Sequence, residues 1–299
     1  MAGPLHSAGM SRANFVVFLA LVSSAAAALS VQVSFDYDKE KPLEIKETGA
    51  RDENGVTLRD ISYLSLDGKP NAATVVAPKE GGPARPAILF VHWYGPPKPT
   101  SNRTQFIPDA IELAKSGAVS LLIDTPWSRP EYFRERTRET DFTRSVQQVK
   151  DLRRALDVLS SLPGVDRQRM AFVGHDFGAM YGALAVAADA RVQAFVFMAG
   201  TQSFSDWFLY GKPKLEGAER QEFIDELSTL DPLLYLPKLK MPVLLQFAND
   251  DEHVPKERAD ALAAAANEPK TVQIYHAKHE LNEEATRDRI AWLKKEIWK

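Results

Sequence analysis

The sequence predicts an α/β fold in which helices cover both faces of one mostly parallel, doubly wound sheet. From about residue 86 onward, short apolar runs alternate with helical patterns, as expected for strands that are buried on both sides. The segment 145–159 places its apolar residues on one helical face. A length of 299 residues suits one large domain after removal of an N-terminal leader.

Residues 1–29 have the features of a secretory signal peptide. Arg12 ends a weakly basic start, an apolar stretch follows at 15–22, and residues 26–28 are alanines that suit a cleavage site. The apolar stretch is shorter than the roughly 20 residues that a membrane span needs. We therefore expect an exported protein, periplasmic or secreted, whose mature part is a single domain at 30–299 without a stable membrane span.

Residues 31–78 are predicted to form antiparallel strands at the N-terminal side of the sheet. Apolar and polar positions alternate in this segment. Turn residues occur at Asn54–Gly55 and at 67–70, which indicates hairpins.

The remaining strands are predicted from six short apolar runs. These runs are 86–91, 118–123, 170–173, 192–198, 243–247 and 271–275. In an open α/β sheet, ligands bind beyond the carboxyl ends of the strands. Polar residues follow the runs at 92–95, 124–127, 176, 249–253 and 279. We expect these residues to form the functional site.

The segment Gly174–Gly178 has the pattern of a nucleophile elbow, a tight turn between a strand and a helix that exposes the side chain at its tip. An apolar run precedes it, and a helical pattern rich in small residues follows it. Serine stands at the tip in the G-x-S-x-G pattern, whereas this chain has Asp176. A carboxylate at that position selects different chemistry from a hydroxyl group.

Four motifs in a fixed order give the chain its resemblance to the α/β-hydrolase family, over roughly residues 55–299. Residues 92–96 lie where that family has its oxyanion loop, and the elbow follows. Asp251 begins a D-x-x-V-P pattern like that around the family's acid, and His279 follows the last strand like the family's histidine. The Val254–Pro255 spacing favours Asp251 over Asp250 as the acid.

Within that family, the chain resembles two groups. The segment between Met198 and Val243 is only about 40 residues long, enough for a minimal lid, which is similar to dienelactone hydrolases. The Gly-His-Asp-aromatic-Gly elbow is similar to that of epoxide hydrolases and haloalkane dehalogenases. The resemblance implies a cofactor-free hydrolase with Asp176, Asp251 and His279 as its catalytic triad.

Asp176 is the predicted nucleophile. The N-terminus of the following helix favours the ionised carboxylate. Attack on an ester carbonyl would give an anhydride that collapses back, whereas attack on the saturated carbon of an epoxide or halide leaves an aspartyl ester. His279 would then activate water, which contributes about 10² to 10⁴ in rate. Asp251 would orient His279 and stabilise its protonated form.

Other residues of these motifs are candidates for substrate and oxyanion binding. The backbone N–H groups of Trp93 and Phe177 are the predicted oxyanion donors. Trp93 and Trp127 are candidate N–H donors to a halide, and His92 is expected to brace the oxyanion loop. The candidate donors to an epoxide oxygen are Tyr94, Tyr132, Tyr210 and Tyr235.

Two other interpretations remain open. In the first, Asp176 acts as a base or an electrostatic residue on an ester or lactone, as in a variant dienelactone hydrolase, which the minimal lid favours. In the second, the chain is an exported, non-catalytic binding protein in which Asp176 only caps the following helix. The missing serine motivates this second interpretation.

Composition narrows the classes of ligand. A net charge of −3 argues against nucleic acid, which would require a basic face. The six histidines are scattered and cysteine is absent, so no metal site is expected. No glycine-rich phosphate loop follows a strand, and no cofactor is expected. The predicted partner is a small-molecule substrate, and the sequence does not determine the oligomeric state.

Overall fold

Strands and helices alternate through most of the chain. A computed structural model describes residues 33–299 apart from 83, 96–97 and 211–214, together with residues 1 and 3. Within these residues the strands are β1 (Lys46–Glu53), β2 (Val56–Leu64), β3 (Pro70–Pro78), β4 (Arg85–Val91), β5 (Val119–Ile123), β6 (Val165–His175), β7 (Val192–Met198), β8 (Val243–Ala248) and β9 (Lys270–Tyr275). The helices are α1 (Ile107–Lys115), α2 (Tyr132–Glu135), α3 (Arg138–Ser161), α4 (Phe177–Ala187), α5 (Phe204–Phe208), α6 (Gly217–Ser228), α7 (Pro232–Tyr235), α8 (Lys256–Ala265) and α9 (Glu283–Ile297).

The predicted leader at 1–29 lies outside the described residues, apart from residues 1 and 3. The signal peptide, export and the domain start at residue 30 therefore stay predictions. None of the helices in the described ranges combines the length and apolar character that a membrane crossing requires.

All these strands join in one mixed sheet with the order β1-β2-β3-β5-β4-β6-β7-β8-β9. The strands β1, β2 and β3 pair antiparallel, and β3 pairs antiparallel with β5. Every other pairing in the sheet is parallel. The predicted mostly parallel sheet with antiparallel N-terminal strands is confirmed, and the first hairpin turns at Asn54–Gly55, where both residues have positive φ.

Helices cover the sheet on both faces, so the predicted doubly wound fold is also confirmed. On one face, Leu152 and Leu156 of α3 and the small residues of α4 enter the larger buried cluster. On the other face, Leu113 of α1 and Leu293 of α9 belong to a second cluster. The helix α3 begins before the predicted segment 145–159, because its polar first turns are anchored by an ion pair rather than by an apolar face.

The strand order reverses at β4. The chain passes from β4 to β5 on one side, and β6 then lies on the other side of β4. Val91 pairs with Gly174 near the carboxyl ends of these two strands, so the loop at 92–95 meets the elbow at Asp176. Such a switch point forms a crevice in an α/β sheet, and it positions the candidate site.

Two close backbone contacts shape the elbow. A Cβ atom at Gly174 would lie 2.3 Å from the Gly178 carbonyl oxygen, and one at Gly178 would lie 2.2 Å from the Val91 carbonyl oxygen. Between them, Asp176 has φ 54° and ψ −117°, a conformation that L-residues rarely adopt. The absence of a Cβ atom at the two flanking glycines therefore allows the backbones of β4, β6 and α4 to come into direct contact.

We predict that Gly178→Ala destabilises the protein although the residue lies in a helix, where alanine is ordinarily preferred by about 1 kcal/mol. The added methyl group must displace the end of β4, and overpacking of this kind costs about 1–3 kcal/mol or more. Urea unfolding of the variant and the wild type measures the difference. The matched control is Gly49→Ala in β1, where a Cβ meets nothing within 4 Å. Equal stability of both variants would contradict the steric account of the elbow.

Candidate active site

The three residues predicted as a catalytic triad meet at the carboxyl edge of the sheet. Asp176 follows β6, Asp251 follows β8 and His279 follows β9. His279 Nδ1 lies 2.8 Å from Asp251 Oδ2, and His279 Nε2 lies 3.9 Å from Asp176 Oδ2. All three side chains are buried, and Asp176 is completely inaccessible to solvent. The arrangement places an imidazole between two carboxylates.

The two oxygens of Asp176 have different surroundings. Oδ2 accepts a hydrogen bond of 3.1 Å from the Tyr94 backbone amide. Oδ1 is buried and has no hydrogen-bond partner within the described part of the chain. Burial raises the pKa of the Asp176 carboxyl group, and the His279 imidazole and the Tyr94 amide oppose that rise. Oδ1 is therefore the oxygen whose hydrogen-bonding capacity is unused.

Asp251 is held as an ionised hydrogen-bond acceptor. Its Oδ1 accepts the backbone amides of His253 (2.8 Å) and Val254 (3.1 Å). Burial would raise its pKa, but hydrogen bonds from His279 and these amides outweigh that effect and lower it. The neighbouring Asp250 lines a cavity instead, so the structure places Asp251, and not Asp250, against His279.

His279 has a strongly shifted pKa. Burial alone would lower the pKa of its imidazole, but Asp176 and Asp251 outweigh burial and raise the pKa to about 10. At neutral pH the site therefore contains an imidazolium. The backbone carbonyl of His279 lies 2.9 Å from Nε2 of His175, a contact that fixes the loop carrying His279.

The amide that faces Asp176 belongs to Tyr94 and not, as predicted, to Trp93. The Trp93 amide donates to Gln105 Oε1 at 2.8 Å, which removes it as an oxyanion donor. The Gln105 side chain also contacts His175 Nδ1 at 2.6 Å. Phe177, the other predicted donor, is the first residue of α4, where backbone amides have no acceptor within the helix.

His92 and Trp127 lie in the interior, where they brace the loops. His92 Nδ1 is 2.7 Å from the Trp93 carbonyl oxygen, and Nε2 is 2.8 Å from Thr125 Oγ1. Burial lowers the pKa of His92 to about 4, which keeps the ring neutral. The Trp127 indole donates to the His92 carbonyl oxygen at 3.3 Å. Trp127 is thus not the halide donor that the sequence suggested, because its N–H is already used.

A cavity of about 620 Å³ opens beside His279. Its described lining combines aromatic rings with a charged rim and contains no aliphatic side chain. The rings are those of Trp93, Tyr94, Phe133, Trp207, Tyr210, His253 and His279. The charged residues are Lys98, Asp250, Glu252, Lys278 and Glu280. His253 lies inside the D-x-x-V-P motif and within the polar segment 249–253 that was predicted for the site. Trp207 was not predicted, and no sequence pattern marks it.

A buried arginine, Arg136, connects the segments that carry Phe133 and Trp207 at the cavity. Arg136 makes two hydrogen bonds to Asp141, at 2.9 and 2.8 Å, and a third to the Phe208 carbonyl oxygen at 2.8 Å. Its guanidinium also lies over the rings of Phe133 and Phe208. This residue therefore joins the α2 segment to α5, which carries Trp207.

Four buried polar atoms of the site have no hydrogen-bond partner among the described residues. They are Trp93 Nε1, Trp207 Nε1, Asp176 Oδ1 and His279 Nε2. Buried polar groups are normally paired, because an unpaired one costs about 1–3 kcal/mol. Three of them belong to residues that line the cavity, Trp93, Trp207 and His279, which indicates where a ligand or water would bind. In the described ranges, no three His, Asp or Glu side chains cluster as metal ligands.

The sequence model of the Dienelactone hydrolase family matches residues 124–298, which contain the elbow, Asp251 and His279. The chain belongs to the dienelactone hydrolase family. Membership supports hydrolase activity on a small-molecule substrate. No protein among those with curated descriptions matches this family member significantly.

Solved structures share the fold of this dienelactone hydrolase family member. An acetyl xylan esterase from a Paenibacillus species is 18% identical with a TM-score of 0.72, covering 86% of this chain and 90% of that one. A second, from a Thermoanaerobacterium species, is 15% identical with a TM-score of 0.68, covering 85% and 88%. A cold-adapted esterase from an Arctic intertidal metagenomic library is 18% identical with a TM-score of 0.60, covering 84% and 99%.

We predict that Asp176→Asn lowers the pKa of His279 below its wild-type value of about 10, because one of the two flanking negative charges is lost. Histidine ¹⁵N chemical shifts followed through a pH titration measure the change. Asp250→Asn is the control, since Asp250 also lines the cavity. Because the pKa of His279 is raised in the folded protein, its ion pairs also contribute to the free energy of unfolding. That contribution is complete below about pH 6.5 and is lost as the pH rises to about 10. A wild-type pKa near 6.5 would contradict the ion-pair account.

Proposed function

We propose that this family member is a cofactor-free hydrolase in which the Asp176 carboxylate attacks a saturated carbon of an epoxide or halide. The observation that carries the proposal is the placement of His279 between Asp176 and Asp251. Asp176 Oδ1 and His279 Nε2 are both buried without a hydrogen-bond partner among the described residues, and His279 lines the cavity. A nucleophile, a base and a residue that orients the base are thus present in one buried site.

In the first step, Asp176 Oδ1 forms a bond to the substrate carbon. Oδ2 is held by the Tyr94 amide, so it becomes the carbonyl oxygen of the resulting aspartyl ester. The leaving group departs in line on the far side of the carbon, toward the cavity. The aromatic lining suits an apolar carbon skeleton.

The leaving group has N–H and O–H donors available. The indole N–H groups of Trp93 and Trp207 are buried and unpartnered at the cavity, and they would stabilise a halide without transferring a proton. Of the four tyrosines suggested by the sequence, Tyr94 and Tyr210 line the cavity. Tyr132 is buried outside its lining, and the Tyr235 hydroxyl donates to the Thr229 carbonyl oxygen.

Esterification itself prepares the second step. An imidazolium cannot take a proton from water, but conversion of Asp176 to an ester removes one of the two carboxylates that raise the pKa of His279. Its pKa then falls, the imidazolium releases its proton to solvent, and the neutral ring can act as a general base. Water loses a proton to His279 Nε2 and attacks the ester carbonyl carbon. The Tyr94 amide stabilises the oxyanion on Oδ2, an effect worth about 10² to 10³ in rate.

A second candidate function is hydrolysis of an ester or lactone. Family membership favours it. In this scheme Asp176 and His279 together activate water, which attacks the substrate carbonyl directly, and Asp176 is never esterified. The cavity volume of about 620 Å³ is sufficient for a small substrate of either class.

A single turnover in ¹⁸O-water is expected to place ¹⁸O in the Asp176 carboxyl group, because water attacks that carboxyl carbon. Epoxides and alkyl bromides form the test panel, with short esters and lactones beside them, and mass spectrometry of the peptide measures the label. Asp251 is the internal control and stays unlabelled. Turnover of an ester without label at Asp176 would favour the second candidate and overturn the first.

His279→Gln is expected to trap the aspartyl ester, because the first step needs no base and the second does. Intact-protein mass spectrometry should show an increase equal to the transferred group within minutes, with multiple turnover reduced by about 10² to 10⁴. Asp176→Asn is the control and gains no mass. Unchanged turnover in both variants would instead indicate that neither Asp176 nor His279 is catalytic.

A further inference from the structure

His253 is a second histidine in the same cavity, and the steps above leave it without a role. Its backbone is fixed on both sides: the amide donates to Asp251 Oδ1 at 2.8 Å, and the carbonyl oxygen accepts from Arg258 Nη1 at 3.0 Å. The ring centroid lies 4.9 Å from that of Trp207 and 5.7 Å from that of Tyr210. The side chain is therefore held at the cavity and is not a freely moving surface group.

The His253 ring spans the distance between the buried site and solvent. It meets the His279 ring edge to face, with the centroids 5.1 Å apart and an interplanar angle of 83°. Its Nε2 lies 3.6 Å from the carboxylate of Glu252, whose side chain is 85% exposed. Protons can thus be exchanged with bulk solvent at the Nε2 end of the ring, while the ring itself packs against His279.

In-line displacement explains why a second acid is needed. An oxygen leaving group must gain a proton, and it departs on the side of the carbon opposite Asp176. His279 Nε2 lies beside Asp176 at 3.9 Å, on the nucleophile's side, so it is poorly placed to supply that proton. The acid has to come from a residue farther along the cavity.

Two tyrosines compete with His253 for this role, and both are weaker candidates. Burial and the Asp176 charge raise the pKa of Tyr94, which makes its phenol a poorer proton donor. Tyr210 is 64% exposed, so its side chain belongs largely to the solvent side of the cavity. The indoles of Trp93 and Trp207 donate hydrogen bonds but not protons.

We propose that His253 is the acid that protonates an oxygen leaving group, which assigns epoxides as the substrate class of this site. As Asp176 Oδ1 bonds to the carbon, the carbon–oxygen bond breaks, its electron pair passes to oxygen, and oxygen takes the proton of His253. Hydrolysis of the ester then leaves a protonated Asp176 carboxyl group and an alkoxide at the product oxygen that had been esterified. This alkoxide takes the proton that His279 obtained from water. The proton on Asp176 returns to solvent, and His253 regains one from solvent past Glu252.

This proposal rests on the proposed function, and a pair of substrates with one carbon skeleton tests it. The wild type and His253→Phe are assayed on an epoxide and on the corresponding bromide. Phenylalanine keeps a ring against His279 and Trp207 but carries no proton. We expect kcat on the epoxide to fall about 100-fold, within the range for general acids. Turnover of the bromide should change by less than about threefold, because a halide leaves without a proton.

Control variants distinguish proton donation by His253 from an effect of its packing and from proton donation by the tyrosines. His276→Phe replaces an exposed histidine that contacts Asn249 and should leave both rates unchanged. His253→Gln serves as the second variant if the phenylalanine protein does not fold, with the same expected split between the substrates. Tyr94→Phe and Tyr210→Phe should each slow the epoxide less than His253→Phe does.

If the His253 variants lose kcat equally on the epoxide and the bromide, the acid role of His253 is overturned, but the proposed function is not. The same holds if either tyrosine variant shows a larger epoxide-specific loss of kcat than His253→Phe. Label at Asp176 in ¹⁸O-water would in that case still support the aspartyl ester. Absence of that label with every substrate that is hydrolysed, or absence of any turnover, would overturn both the proposed function and the acid.

Discussion

The site depends on one electrostatic arrangement: an imidazolium confined between two buried carboxylates. Burying any one of these charges alone would be costly, and removal of one partner from a buried pair typically costs about 3–5 kcal/mol. Here the imidazolium offsets part of the negative charge of the two carboxylates, and backbone amides donate hydrogen bonds to Asp176 Oδ2 and Asp251 Oδ1. The parallel strands β6, β8 and β9 all end at one edge of the sheet, which is what brings the three side chains within reach of each other.

The positions of these three residues could be predicted because local chemistry marks each of them. Gly174 and Gly178 fix the turn at Asp176, since each lies where a Cβ atom would clash with backbone. The Val254–Pro255 spacing distinguishes Asp251 from its neighbour Asp250. His279 was identified from its place after the last strand. Such signals operate over a few residues and survive in the sequence alone.

The surroundings of the triad could not be predicted, because they depend on contacts between distant segments. Gln105 takes the Trp93 amide, so the hydrogen bond to Asp176 passes to the next residue, Tyr94. The Trp127 indole is used by a carbonyl oxygen 35 residues away. Trp207 reaches the cavity through α5, which Arg136 ties to another segment. No periodicity or short motif encodes such pairings.

The steric constraints at the elbow fall on its two flanking glycines, which meet neighbouring backbone. The buried side chain at position 176 lies instead beside His279, which lines the cavity. Natural selection could therefore exchange the reactive group by a single codon change while the scaffold stayed as it was. In this architecture the reactive side chain at position 176 can be replaced, whereas any side chain at position 174 or 178 would clash with backbone.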